Sequence, residues 1–185
     1  EADVEGYDTC RKIAILASIA TGLEVAYEDI YTEGITKIEK IDFEYAQKMG
    51  TSIKLFGGAF IEDGKFYSYV CPMMISSTDP LYMVKSVYNA VMVEGEMLGK
   101  TMFYGSGAGK YPTASAVVAD ILSAFKKSDG FKPHWSEERA EVEDMDKTSH
   151  RYFVRFHGRN EEDIMHCERA FGKSRSVYLE GKDEF

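Results

Sequence analysis

Asp3, Asp8 and Lys12 stand near the start of the chain, with Gly6 between the two aspartates. A lysine beside carboxylates and an apolar wall can trade a proton with a hydroxyl while the carboxylates hold a cationic amine. Asp8 and Lys12 are four residues apart at a predicted helix start, which puts both side chains on one face, and Asp3 sits on the loop leading in. The same pattern also suits a structural role, an acidic helix N-terminus favoured by the macrodipole with a surface ion pair of about 0.2–0.5 kcal/mol. Spacing alone favours that second role.

The other cluster is Gly105-Ser106-Gly107-Ala108-Gly109, followed by Lys110, Tyr111, Pro112 and Thr113 at the mouth of a predicted helix. Glycines there let a phosphate or carbonyl approach backbone N–H groups, and a helix start favours negative charge. The run is not a Walker loop, because Tyr104 and Tyr111 occupy the places of the required Gly and Ser/Thr, and Lys110 breaks a dinucleotide fingerprint. A tight strand-to-helix connection packed on a neighbour explains the glycines equally well. His134, His150, His157 and His166 lack metal-ligand spacing, and no metal is assigned to them. Phe66, Tyr67, Tyr69, Met73 and Met74 read as sheet packing.

These residues need elements to hold them. Ile13, Leu16, Ala17 and Ala20 recur at helical spacing over Asp8 to Leu23, with Gly22 as a stop. Glu33 to Ile41 reads as loop, and Asp42 to Met49, closed by Gly50, as a short helix capped at Asp42. Thr51 to Ile61 and Lys65 to Ile75 are predicted strands joined by Glu-Asp-Gly, a hairpin turn. Asp79-Pro80 opens a short helical segment through Val87. Ala90 to Glu94 and Leu98 to Tyr104 form a second strand pair, and a long helix runs from Pro112 to about Lys127. Val117, Ile121 and Phe125 make its apolar stripe, with Val118 and Leu122 beside it. A charged stretch from Ser128 to Ser149 reads as linker, with Trp135 as its anchor. Beyond it, Tyr152 to Phe156 and Ser176 to Leu179 read as strands flanking a helix from Asp163 to Phe171.

The chain has 185 residues, 44% of them hydrophobic, enough for one core plus a small appendage. A net charge of −9 without local basic clusters argues against a nucleic-acid partner. No apolar run approaches the roughly 20 residues of a membrane-spanning helix. Cys10, Cys71 and Cys167 are an odd number without a CxxC pair, which suits a reducing cytoplasm. The acidic start without Met is expected to be a cut inside a longer chain.

Asp3-Val4-Glu5-Gly6-Tyr7-Asp8, with Lys12 four residues on, resembles the signature of the homoserine dehydrogenase family: aspartate, an aliphatic residue, a spacer, glycine, a spacer, aspartate, then lysine. Gly34-Ile35-Thr36 followed by Asp42, Ile53-Lys54-Leu55, Val87 with Asn89-Ala90-Val91, and the run from Gly105 to Asp120 come in that family's order and span residues 1 to about 127. The tail from Arg151 resembles the opening of an ACT regulatory domain, although Asn160-Glu161-Glu162-Asp163 departs from its usual ligand-binding loop.

The resemblance implies an α+β fold: a mixed, largely antiparallel sheet with helices on one face, then a partial ACT-like (ferredoxin-like) βαβ segment. It implies a catalytic and dimerisation domain over 1–128, a linker over 129–148 and the ACT-like part over 149–185. It implies NADP- or NAD-dependent interconversion of L-homoserine and L-aspartate 4-semialdehyde, on the route to threonine and methionine. Lys12 would be the acid/base, Asp8 with Asp3 would bind substrate, and Gly109, supported by Gly107 and Ala108, would approach the cofactor. A homodimer built sheet to sheet is implied, as are a Rossmann domain, a cation-binding loop, a second lysine and a substrate-binding glutamate upstream of residue 1. Residues 1–185 alone are therefore expected not to turn over. The alternative is a dimerisation or regulatory binding module without catalysis. A third reading, another oxidoreductase on this scaffold, would keep the glycine turn and be indifferent to Asp8→Asn.

Overall fold

The computed structural model describes residues 2–126, 135–156 and 161–179. His134, His157 and Asn160 lie outside the described residues, as does the expected end of the long helix at Lys127. Contacts divide the chain into two compact units, residues 1–75 with 135–185, and residues 76–134.

In the first unit, α1 (Tyr7–Thr21) starts at Gly6 and stops at Gly22, whose N–H donates to the Ser18 carbonyl. The buried side of α1 is Cys10, Ala14, Ala17 and Ser18, while Leu16 stays partly exposed. The small residues face the core more fully than the large apolar ones predicted to do so. On a neighbouring side of the helix Thr9 and Ile13 lie close on β2, where a Cβ on Gly57 would stand 3.0 Å from the Thr9 methyl and 3.3 Å from Ile13 Cβ, and dispersion contacts reward that approach.

The second helix, α2 (Lys40–Lys48), begins earlier than predicted. Its cap is Glu39, and Asp42 is the third residue of the helix, accepting the Glu39 N–H at 2.7 Å in a reciprocal capping box. The spacing of Glu39 and Asp42 meets the capping-box rule, whereas Asp42 read by itself suggests a cap.

The hairpin forms as predicted. β2 (Thr51–Glu62) and β3 (Lys65–Ser76) are joined by Asp63 and Gly64, with φ of 51° and 75°. Two consecutive positive-φ residues make the turn whose twist matches a hairpin. Two short strands, β1 (Tyr31–Thr32) and β6 (Val142–Glu143), pair with β3 in parallel, in registers Tyr31↔Tyr69 and Phe66↔Val142. The sheet is therefore mixed, with β3 at its centre.

The core joins Cys10, Ala14 and Ala17 of α1 with Val25, Ile30, Val70 and Ala140. Ala140 lies in the stretch whose composition reads as linker. That stretch is tied down by backbone bonds from Ser136 to Gly22, Glu24 to Glu138 and Ala140 to Glu24, each 2.8–2.9 Å. Arg139 adds a two-pronged bond to Asp29 at 3.0 and 3.2 Å.

In the tail, α4 (Glu161–Phe171) forms, but neither 152–156 nor 176–179 is a strand. Alternating sequence makes a strand only when a ladder partner takes its backbone groups, and neither segment joins a ladder. Residues 152–156 are held instead through side chains: Phe153 packs against Tyr45 with ring centroids 5.9 Å apart, and Arg155 bonds Asp42 at 2.8 Å and also Glu39.

In the second unit, Pro80–Met83 is a short 3-10 turn, with Asp79 accepting the Leu81 N–H at 2.8 Å. The predicted helical segment through Val87 ends there, since Val84 is already extended with φ −71° and ψ 112°, and Ser86 with φ 59° is also outside helical geometry. β4 (Tyr88–Gly95) and β5 (Gly99–Ser106) pair antiparallel along their whole length and make a separate two-stranded sheet rather than a continuation of the first. α3 (Lys110–Lys126) follows. Pro112 sits in its first turn, where a missing N–H costs no helical bond.

Cys71 on β3 gives one pH-dependent expectation. Burial, helped by the nearby Glu33 carboxylate, pushes its thiol up to about 11. The thiolate is the nucleophile, so at pH 8 alkylation of Cys71 by iodoacetamide should run about two orders of magnitude below an ordinary thiol. Its rate should keep climbing until pH nears the folded value. Mass-spectrometric rates that level off by about pH 9 would contradict this.

Candidate active site

Gly6 and Gly34 fix the loop that carries the first cluster. Gly6 takes φ 84°, and a Cβ there would stand 3.2 Å from a Val70 methyl and 3.3 Å from the Thr32 methyl. Gly34 lies on the same loop so closely that a Cβ would stand 2.5 Å from Glu5 Cα, and Ile35 N–H donates to the Val4 carbonyl at 2.7 Å. Gly34 is thus demanded by close packing against backbone, and Gly6 by its backbone angle in a tightly packed place. Together they seat residues 3–8 on β1 and β3 and set the direction in which α1 leaves.

On α1, Asp8 lies in the first turn and its carboxylate meets Lys12 Nζ at 2.7 Å. The predicted shared face is therefore realised as an ion pair. Both partners are open to solvent, Lys12 by 61% and Asp8 by 46% of the side chain. The described residues do not supply the apolar wall expected around Lys12. An exposed pair of this kind contributes only about 0.3–0.5 kcal/mol, so stability gives little reason for the pair. Asp3 is exposed on the incoming loop, and its carboxylate makes no ion pair among the described residues. The cluster offers an ammonium held by one carboxylate, with a second carboxylate upstream: a proton donor and acceptor beside anionic groups able to hold an amine.

The glycine cluster belongs to the second unit. Gly105 and Ser106 end β5, Gly107 and Ala108 turn the chain, and Gly109 precedes α3. Gly109 takes φ 117° and its carbonyl accepts the Thr113 N–H at 3.1 Å, the first bond of the helix. That φ is a region L residues rarely adopt, so glycine is required there by the backbone itself. Gly107 is required by a neighbour: its N–H donates to the Val87 carbonyl at 2.9 Å, and a Cβ would run into the Asn89 side chain. Over Gly105 the space is open. Sequence reasoning quoted Asn89 only as part of a family segment and missed its place against the turn; the cross-strand register of a hairpin is the signal that could have found it.

Among the described residues no group of three or more His, Cys, Asp or Glu side chains could hold a metal. Nor is any helix there long and apolar enough to cross a membrane.

The fold and these two clusters define an α+β protein with a candidate proton-transfer pair and a glycine-rich approach to a helix start. The homoserine dehydrogenase family model matches residues 1–122. The homoserine dehydrogenase of Pseudomonas aeruginosa is 44% identical over 124 residues, covering 67% of this chain and 29% of that relative. The crystal structure of a homoserine dehydrogenase from Thiobacillus denitrificans superposes with TM-score 0.68 at 34% identity, covering 83% of this chain and 36% of the other. A hyperthermophilic archaeal homoserine dehydrogenase mutant, solved in complex with NADPH, matches with TM-score 0.51 at 28% identity over 71% of this chain and 35% of that one. The chain belongs to the homoserine dehydrogenase family. It spans about three tenths of the length of the curated relatives it matches.

Proposed function

We propose that these residues form the substrate side of an NADP- or NAD-dependent homoserine dehydrogenase interconverting L-homoserine and L-aspartate 4-semialdehyde. The observation that carries the reading is the Asp8–Lys12 pair at 2.7 Å on a helix whose entry loop is clamped by Gly6 and Gly34. An exposed ion pair needs no such rigid mounting, whereas proton transfer does.

A nicotinamide cofactor, when bound, takes or gives the hydride. This chain's part is the proton. As the substrate carbinol loses hydride from carbon, Lys12 accepts the hydroxyl proton; in the reverse direction the Lys12 ammonium donates it to the aldehyde oxygen. Asp8 orients that nitrogen, and Asp8 with Asp3 holds the substrate ammonium. The turn at Gly107, Ala108 and Gly109 fits a cofactor, because Gly109's φ and the open face of Gly105 let a ligand reach the backbone at a helix start.

The half-buried aromatic residues Phe56, Phe60 and Tyr69, in ring contact on β2 and β3, support a homodimer formed through the sheet. Gel filtration of the chain at micromolar concentration should give a dimer, and a monomer there would refute it. The family match over residues 1–122 supports a catalytic and dimerisation part over 1–128. Of the expected connecting stretch over 129–148, Ala140, Val142 and Glu143 belong to the first unit, and of the expected ACT-like part over 149–185 the helix α4 forms without its flanking strands.

The deciding experiment measures homoserine-dependent reduction of NADP and NAD by a chain of the relatives' length, beside its Lys12→Ala variant and beside residues 1–185 alone. Activity is expected in the first and absent from the last. No turnover by the long chain would overturn the reading, and turnover by residues 1–185 would overturn the view that they work only as a part.

A further inference from the structure

Asn89 faces Gly105 across the β4–β5 ladder, and Gly107 stands just past the end of β5. The Asn89 side chain lies across Gly107 so closely that an ideal Cβ on the glycine would overlap its carboxamide and stand 3.1 Å from its Cβ. One residue earlier, Tyr88 stacks on Tyr104 with centroids 5.0 Å apart, and two residues earlier Val87 receives the Gly107 N–H. Residues 87 and 89 therefore touch the turn itself, one by a backbone bond and one by a side chain, while the ring stack from 88 fixes β4 on β5 just before it. Asn89 is exposed, and among the described residues its carboxamide has no hydrogen-bond partner; its close protein contact is the one with Gly107.

From this contact we propose that Asn89 is a positioning residue for the glycine turn, a strut that sets where Gly107, Ala108 and Gly109 present their backbone. The proposal rests on the reading of that turn as the cofactor approach. A strut of this kind acts through the turn and touches no reacting atom. Misplacing a bound group by about 1 Å can cost on the order of a hundredfold in rate, so modest slack at Asn89 should be measurable.

The test is a double-mutant cycle in a chain of the relatives' length, read by NADPH fluorescence titration, by KM for NADP and for homoserine, and by melting temperature. Asn89→Ala should weaken NADPH binding several-fold and raise the KM for NADP, leaving the KM for homoserine and the melting temperature unchanged. Gly107→Ala should weaken NADPH binding by tenfold or more, by pushing the carboxamide aside. In the double variant the overlap with the carboxamide is gone and only the tight 3.1 Å contact with the Cβ of residue 89 remains, so most of the loss added by Gly107→Ala should be recovered, bringing binding back close to that of Asn89→Ala alone. Multiplying effects of the two substitutions would overturn the proposal, as would a fall in melting temperature matching the loss of binding. Should Gly107→Ala fail to fold, Asn89→Ala and Asn89→Gln decide it: a binding loss in the first that the second restores supports the strut, and equal behaviour of both overturns it. A wild-type chain that binds no NADPH overturns the dehydrogenase reading instead, which keeps the two failures apart.

Discussion

Replacing Lys12 by alanine in a chain of the relatives' length is expected to lower kcat by about 10²–10⁴-fold, the range a positioned proton-transfer group supplies. Stability should hardly change. The ion pair lost with it is exposed on both sides, and such pairs contribute a few tenths of a kcal/mol, about 0.3–0.5. The contrast is what makes the result informative, because a residue that is nearly silent for folding and decisive for rate acts in the reaction and not in the fold. Asp8→Asn separates the two roles of its carboxylate. Loss of substrate binding appears as a raised KM for homoserine at constant kcat, and loss of Lys12 orientation as a lowered kcat. A Lys12→Ala chain that keeps its kcat would leave Asp8–Lys12 as a helix-surface ion pair and promote the non-catalytic binding module to first place.

The second large effect concerns folding. The Asp42 side chain is 8% exposed and takes two bonds, one from the Glu39 N–H at 2.7 Å and one from Arg155 Nε at 2.8 Å. Removing Arg155 leaves a buried carboxylate with its charge partner gone. A fully buried pair broken this way costs about 3–5 kcal/mol. Arg155→Met should cost roughly 2 kcal/mol, because Arg155 is itself 23% exposed and the Asp42 carboxylate keeps its backbone donor. Denaturant unfolding of the chain measures it, and an Arg155→Met midpoint equal to wild type would show that the tail does not brace α2. The bracing reaches beyond α2. Arg155 ties residues 151–156 to the capping box, Phe153 packs on Tyr45, and Lys48 donates to the Tyr178 carbonyl. Tail and helix are thus joined at both ends of α2, although the tail forms no strand.

Local chemistry was legible in the chain itself. The i,i+4 spacing of Asp8 and Lys12 guarantees a shared face once α1 forms, and Gly22 ends that helix because it alone adopts φ 74° at no cost. Asp63-Gly64 specifies its turn, and alternation specifies which residues of β4 and β5 share a side. These properties depend on a few neighbouring residues, so they survive translation from sequence to structure.

What depended on distant residues was not legible. The small-residue stripe of α1 makes sense only against Val25, Ile30, Val70 and Ala140, the capping role of Asp42 is completed by Arg155 from over a hundred positions away, and a Cβ on Gly107 would meet Asn89 from the paired strand. Tyr152 to Phe156 alternates well and still forms no strand, since a ladder needs a partner edge that no local pattern can guarantee. By itself the sequence determined that α1, α2, α3, α4 and the two hairpins form, to within a few residues at their ends, and which residues carry candidate chemistry, whereas the helical segment expected from Asp79 through Val87 shrank to the 3-10 turn Pro80–Met83. Only the tertiary structure decided which side chains each glycine makes room for and which charges are buried, because close packing and desolvation are properties of pairs brought together by the fold.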